Sequence, residues 1–404
     1  MKRFLISTRV LAISVVYLLW LVGASSTIPA MAATSPAHFI LTGSGYGHGV
    51  GMSQIGAQGQ ALEGQSATDI LTYWFPGTSI VPAPINQNIR VNIAHAVNAV
   101  SFSLKAVDTS TAWTVGAQSV PINSTIKFSI SGKSIVATVA TPKEPAQTLP
   151  GKGPWTINFS GLLASTVQGK TINLRYGTVA LKTVGKKIEV TDTMLIDQYV
   201  LGISEAPSSW PTAALQAQAI ASRTYALSHR TVRSACDCHV YNNTYDQVYN
   251  GYAKESEPGY GQFWIDAVTS TETDPNNALE IAYDGRPISV YFFSSDGGVT
   301  QTAGDVWGTD LPYLKNIQDP WSLDIFLNPY YAHWQRVITQ KDMATAFNLS
   351  DVANVSITSR ALSNAAAVIT AVSSIGSSAT LSVAKFKSAL RLPSSWFEIA
   401  PPGY

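Results

Sequence analysis

Gly202-Ile203-Ser204-Glu205-Ala206-Pro207-Ser208-Ser209-Trp210-Pro211 runs straight into Thr212-Ala-Ala-Leu-Gln-Ala-Gln-Ala-Ile-Ala-Ser-Arg-Thr-Tyr-Ala226. The second half predicts a helix from about Pro211 to His229, buried along Leu215, Ala219 and Ala226. Its many alanines allow close packing against a sheet or a neighbouring helix. The first half places one glutamate between apolar neighbours on a turn ahead of that helix. Glu205 there has two readings. It complements the positive end of the helix macrodipole, as acids near helix N-termini commonly do. Alternatively, partly dry surroundings supplied by Ala206, Pro207 and Trp210 raise its pKa for general-acid work. The rest of the chain favours the second.

The 404-residue chain is long enough for one large domain or two ordinary ones, each with a proper core. Lys2, Arg3 and Arg9 flank or precede the apolar run Val10 to Val22, and Ala30-Met31-Ala32 supplies a small-x-small cleavage site. The pattern over residues 1–32 is that of a secretory signal peptide. Its apolar run is shorter than the ~18 residues a spanning helix needs, so an exported, extracytoplasmic protein is expected. Of 26 basic residues against 25 acidic, those three leave with the peptide, and the mature net charge becomes about −2. Without a basic excess, nucleic acid is excluded as the expected partner.

Along the chain, a glycine-rich stretch, Gly43 to Gln54, leads into a helical pattern from about Gln54 to Leu62. A second short helix starts at a capping box, Ser66 with Asp69, and stops near Phe75 at Pro76-Gly77. From Ile89 to Val190 the pattern changes to short alternating strands, such as Ile89 to Ile93 and Thr171 to Tyr176, divided by the turn-rich stretch Pro142 to Pro154. The helix after Glu205 follows, then a mixed segment to Trp321 and an αβ-like tail closing on Trp396-Phe397. No internal repeat or long linker is present.

Three clusters carry candidate chemistry. In Gly47-His48-Gly49-Val50-Gly51-Met52-Ser53-Gln54, glycines bare the backbone so that a ligand can approach closely. His48, Ser53 and Gln54 supply polar groups suited to a sugar-binding groove. In Tyr291-Phe292-Phe293-Ser294-Ser295-Asp296-Gly297-Gly298, an aromatic strand runs into a hairpin-like Asp-Gly turn, and Ser294 and Ser295 set hydroxyls beside aromatic faces. Cys236 and Cys238, the only cysteines, are one residue apart. An exported chain defaults to a disulfide, yet that span is difficult to close without strain. The other reading is a zinc site of two thiolates completed by His229, with His239 as the second choice.

Taken together, Gly47-His48-Gly49-Val50-Gly51-Met52-Ser53-Gln54, Ser204-Glu205-Ala206-Pro207, the alanine-rich helix, Gln247-Val248-Tyr249 and Ser294-Ser295 resemble the SpoIID/LytB family of bacterial cell-wall proteins. The resemblance implies an α+β fold, a single SpoIID-like domain over 33–404 with its β-rich section at 89–190. It also implies a peptidoglycan lytic transglycosylase with Glu205 as catalytic acid, and zinc on one histidine and two cysteines in some members. Arg223 and Tyr225 on the helix join His48, Ser53, Gln54, Ser294 and Ser295 as expected substrate-binding residues. Sporulation members carry the Gly-His-Gly motif near the C-terminus, whereas here it opens the mature chain. A circular permutation accounts for that if the chain ends lie close together.

One carboxyl group suffices for this chemistry. Hydrolytic glycosidases generally use two; a lytic transglycosylase lets the 6-hydroxyl of the muramic acid attack its own anomeric carbon. Glycan strands are then the expected substrate and a cell-wall amidase the possible protein partner. The competing readings are a non-catalytic glycan-binding protein that enhances such an amidase, and a structural component of the envelope.

Overall fold

The computed structural model describes residues 35–401; the expected signal peptide lies outside them. Among the described residues strand outweighs helix, 40% against 21%, and the architecture is α+β. No helix among them is long and apolar enough to cross a membrane.

The alanine-rich helix forms over Thr212–Ser228, and 13 of its 17 residues are buried, so it has no solvent face to speak of. Leu215, Ala219, Ala226 and Leu227 pack into one apolar core, while Ala217, Ile220 and Ala221 pack into a second. A helix buried all round needs small side chains on every face, which is what the alanines provide. Most of its buried polar groups are bonded internally, although Arg223 Nη2 has no partner. Arg223 Nε donates to Asp197 at 2.7 Å and its Nη1 to the Leu279 carbonyl at 3.0 Å. Thr224 Oγ1 donates to the Ile220 carbonyl and accepts from Ile281 N–H.

The first core belongs to a two-sheet section. Seven strands run in the spatial order Val240–Tyr241, Asn88–Val97, Lys187–Leu195, Thr178–Val184, Trp155–Ser160, Ala112–Val115, Gln118–Ser119. Six more run Glu144–Thr148, Ser134–Thr141, Thr125–Ser131, Ala99–Lys105, Leu162–Val167, Lys170–Leu174. The inner strands alternate buried and exposed residues, as Ala99–Lys105 and Thr125–Ser131 do. Across the sheets Phe128 meets Trp155 at 6.1 Å between ring centroids. The β-rich section anticipated at 89–190 thus extends over Asn88 to Leu195, and its turn-rich divider contains the strand Glu144–Thr148.

The second core takes in the two short helices, Gln54–Leu62 and Ala67–Trp74. The second begins where its anticipated capping box of Ser66 and Asp69 places it, and the first is capped by Ser53, whose Oγ accepts from Gly56 N–H. The anticipated Asp-Gly hairpin is not formed. Phe292–Phe293 pairs in parallel with Met52–Ser53, and Asp296 instead turns the chain by accepting from Gly298 N–H at 2.7 Å. The buried Asp296 side chain competes for backbone that a hairpin would have used.

The strand His38–Ser44 lies between Trp334–Thr339 and Trp396–Ile399, pairing Leu41 with Ile399 and Gly43 with Phe397. The start and the end of the described chain are therefore neighbours in one sheet, the geometry that a circular permutation requires. Beside them, the strands Asn354–Arg360, Ala366–Val372 and Ser378–Ser382 and the helices Gln340–Phe347 and Val383–Leu390 enclose a third core around Phe347, Phe386 and Phe397.

Asp192, on the strand Lys187–Leu195, is fully buried, and neither carboxyl oxygen has a side-chain partner. Burial raises its pKa well above 3.8, against the pull of Thr193 N–H. The folded state therefore holds a proton that the unfolded state releases, so this group favours folding most below pH 3.8 and less as pH rises towards its folded pKa. Over that window the wild-type protein is expected to lose up to about 1.4 kcal/mol per pH unit on account of this group. Asp192→Asn should remove that slope, giving a melting-temperature advantage that grows with pH. Parallel melting curves for the two proteins would contradict it.

Candidate active site

Glu205 lies on a turn pinned from several sides. Ser204 N–H donates to the Val248 carbonyl at 2.8 Å and Asn250 N–H to the Gly202 carbonyl at 2.8 Å, so 202–205 runs against 248–250. Gly202 is obligatory there, since a Cβ would meet the Tyr249 ring at 2.3 Å. The buried Lys254 ammonium donates to the Ala206 carbonyl at 2.7 Å. Gln54 Nε2 donates to the Glu205 carbonyl at 3.1 Å, tying the N-terminal helix to the same turn.

The carboxyl group itself is held by one bond, from Val248 N–H to Oε1 at 2.6 Å. Its Oε2 has no partner among the described residues. Burial raises the Glu205 pKa above 4.5 and the Val248 bond opposes the shift. A backbone donor on one oxygen leaves the other to carry and deliver a proton.

Glu205 opens into a groove of about 420 Å³, walled by His48, Tyr225, Tyr291, Phe293, Ser294 and Trp307. Trp307 sits 4.5 Å from Tyr291 and 5.3 Å from His48 between centroids, and is 47% exposed at the rim. His48 Nδ1 accepts from Val50 N–H at 3.1 Å. Burial first, and Lys387 second, lower its pKa to about 4, so the ring is neutral at physiological pH and carries its proton on Nε2.

A second carboxylate faces the groove. Asp246 accepts from both Arg233 Nη atoms at 2.6 and 2.7 Å, from Tyr225 O–H at 2.6 Å and from Tyr241 N–H at 2.8 Å. Burial pushes its pKa up, but Arg233, Tyr225 and the Tyr241 amide outweigh it and hold it below 3.8. Two carboxyl groups thus share one groove with their pKa values driven apart. Asp246, saturated with donors, is an ionised structural anchor; Glu205 is the one equipped to exchange a proton.

Residues 184–274, which contain Glu205, the central helix and Asp246, match the family SpoIID, stage II sporulation protein. The likeness to the SpoIID family is confined to this segment, under a quarter of the chain. It is 33% identical over 164 residues to an uncharacterised protein of Brachyspira hyodysenteriae, covering 39% of this chain and 41% of that one. It is 29% identical over 161 residues to stage II sporulation protein D of Bacillus subtilis, covering 37% and 45%. With the amidase enhancer of Bacillus subtilis it shares 30% identity over 128 residues, 30% of this chain and 16% of that protein. Each match spans less than half the length of the relative.

The SpoIID segment supplies Glu205 and Tyr225 to the groove, and the region before it supplies His48 and Gln54. Ser294 also lines it, but three expected substrate-binding residues do not. Ser53 is buried as the helix cap and faces Ser322 Oγ at 3.2 Å. Arg223 is fully buried on Asp197. Ser295 is buried and exchanges backbone hydrogen bonds with Tyr46. Ala206 packs in the first core, Trp210 packs against that core and Pro207 is exposed. The glycines around His48 serve the protein's own packing. Gly45, Gly47, Gly49 and Gly51 all have positive φ, and a Cβ on Gly49 would meet the Trp396 ring at 2.2 Å.

The zinc reading meets a different arrangement. Cys236 and Cys238 are joined by a disulfide with Cα atoms 5.2 Å apart. Asp237 between them takes φ 51°, which doubles the chain back so that adjacent-but-one sulfurs meet. His229 is stacked on Tyr225 at 3.9 Å, its Nδ1 directed at the Tyr225 carbonyl 2.8 Å away. His239 Nδ1 accepts from Arg90 N–H. Bonded sulfurs offer no thiolate, and no group of three His, Cys, Asp or Glu side chains placed to hold a metal occurs among the described residues. The donor set of Cys236, Cys238 and His229 does not fit zinc in this state. The disulfide-linked turn 236–238 instead packs back on Arg233, whose N–H donates to the Cys238 carbonyl at 2.7 Å and whose guanidinium sits on Asp246.

Two outcomes are expected. The protein purified under oxidising conditions should carry the mass deficit of one disulfide and no stoichiometric zinc; reactive thiols with about one zinc per chain would reverse the assignment. In an NMR titration, His48 should keep its neutral-ring shifts from pH 8 down to about pH 5, and a midpoint near 6.5 would contradict its packing.

Proposed function

We propose that this chain is a peptidoglycan lytic transglycosylase that cleaves the bond from N-acetylmuramic acid to N-acetylglucosamine with Glu205 as its single acid/base. The observation carrying this reading is the contrast between the two carboxyl groups of the groove: Glu205 raised and half-free, Asp246 ionised and saturated. A double-carboxylate hydrolysis needs a second group that can attack or activate water, and Asp246 has no lone-pair direction to spare. The aromatic walls suit the apolar faces of sugar rings, and the name of the Bacillus stage II sporulation protein fits a wall-related process. In this scheme Glu205 protonates the departing glycosidic oxygen. As carboxylate it then takes the proton of the muramic acid 6-hydroxyl while that oxygen bonds to C1, giving a 1,6-anhydro end. Val248 N–H steadies the carboxylate in the second half.

A second reading rests on the similarity to the amidase enhancer: the groove binds glycan and the protein promotes a cell-wall amidase without cutting. Mass spectrometry of purified glycan strands incubated with the mature protein separates the two, because only the transglycosylase leaves anhydro ends. Under the first reading, Glu205→Gln should lower cleavage by about 10²–10⁴-fold with glycan binding kept. Since protonated Glu205 is the active form and its pKa lies above 4.5, wild-type activity should fall on the alkaline side as that proton is lost. Near-wild-type turnover by Glu205→Gln would exclude the mechanism.

A further inference from the structure

A larger cavity, of about 860 Å³, lies on the other side of the Gly-His-Gly loop from Glu205. Tyr46, Gly47 and His48 line both spaces, so the loop is the wall they share. The far side of the cavity is built by the helix Val383–Leu390 and the sheet beside it, outside the SpoIID segment. Its lining is of two kinds. Ala361, Ala366, Ala367, Val383 and Ala384 give a floor of small apolar groups, while Arg336, Arg360, Lys387 and Arg391 bring positive charge.

The charges are not equally available. Arg360 is taken up by Glu398, with Nη2 at 2.7 Å from both carboxylate oxygens. The Lys387 ammonium donates to the Gly47 carbonyl, which fixes the loop that carries His48. Arg336 and Arg391 have no carboxylate partner among the described residues. The lining carboxylate, Asp305, is engaged by Thr302 N–H at the start of its own short helix. What remains is an anion-accepting space with an apolar floor, continuous with the wall of the catalytic groove.

We propose that this cavity binds the carboxylate-bearing arm on O3 of muramic acid, either its free lactyl carboxylate or the acidic, alanine-containing peptide attached through it. The inference rests on the glycan reading above and deepens it. A sugar held at Glu205 would direct that arm past His48, because only muramic acid, not N-acetylglucosamine, carries a substituent there. The small apolar floor suits alanine methyl groups, and Arg336 and Arg391 suit carboxylates. The cavity would then set which sugar of the strand lies against Glu205, and so which glycosidic bond is cut.

The test compares three probes of matched length, none containing the scissile bond: diacetylchitobiose, the N-acetylglucosaminyl–muramic acid disaccharide, and that disaccharide bearing L-alanyl-D-glutamate. Dissociation constants are measured for the wild type and for the double variant Arg336→Gln/Arg391→Asn. Arg336 lies on an exposed strand position, and Arg391 has φ 53°, which asparagine tolerates, so the variant should fold. The wild type should prefer an acidic probe to chitobiose by roughly tenfold or more, the scale of one charge-assisted contact. The double variant should lose that preference while keeping its chitobiose affinity. Preference for the bare disaccharide identifies the lactyl carboxylate; preference for the peptide form identifies the stem. Equal affinity for all three probes, or a preference untouched in the variant, overturns this inference alone. Failure to bind any probe overturns the glycan reading with it.

Discussion

The burial of the helix Thr212–Ser228 on all sides is the constraint on which the site depends. Two apolar cores meet across it, and only alanine-sized residues at Ala217, Ala219 and Ala221 let both approach at once. Interiors packed at crystal-like density transmit displacement rather than absorb it. A larger side chain at Ala219 would push the two-sheet section away from the short helices. Gln54, on one side, would then part from Glu205, on the other. The same helix carries Gln218, which accepts from Gln54 at 3.2 Å, and Tyr225, which donates to Asp246. Site geometry and core packing are thus one mechanical system.

Within that frame the groove divides labour between its two carboxyl groups by setting hydrogen-bond number against burial, which pushes both pKa values up. Both are partly withdrawn from water. Four donors converge on Asp246 and one on Glu205. Each donor stabilises the charged form, so the crowded group stays ionised and the sparsely served one retains its proton to higher pH. The disulfide-linked turn contributes one backbone bond to Arg233, from its N–H to the Cys238 carbonyl, and the Arg233 guanidinium supplies two of the four bonds.

What was legible in the sequence follows interaction range. The helices at Gln54–Leu62 and Ala67–Trp74 could be read closely, the second because Ser66 and Asp69 close its capping box within three positions. The buried helix could be read from its composition. Asp246, Trp307 and the Val248 amide could not, since their roles arise from segments brought together by the fold. A backbone donor leaves no mark on the residue type that provides it. The hydroxyls at Ser53 and Ser295 had the right chemistry and the wrong direction, which patterning alone does not report. The cysteine pair turned on one dihedral: a left-handed Asp237 closes a span that an extended residue would hold open.

The position of the Gly-His-Gly loop shows that chain order and spatial order are independent here. His48 lies 157 positions before Glu205 in the sequence, yet the two wall the same groove. That is possible because His38–Ser44 enters the sheet beside Trp396–Ile399, so the first and last strands occupy adjacent places. Cutting such a chain at one loop and joining it at its ends changes the sequence of elements without moving any of them. Trp396, from the last strand, fills the space that Gly49 leaves in the first loop. The first and last strands of the described residues therefore support the same loop, and the order in which the chain presents them carries no information about the chemistry they frame.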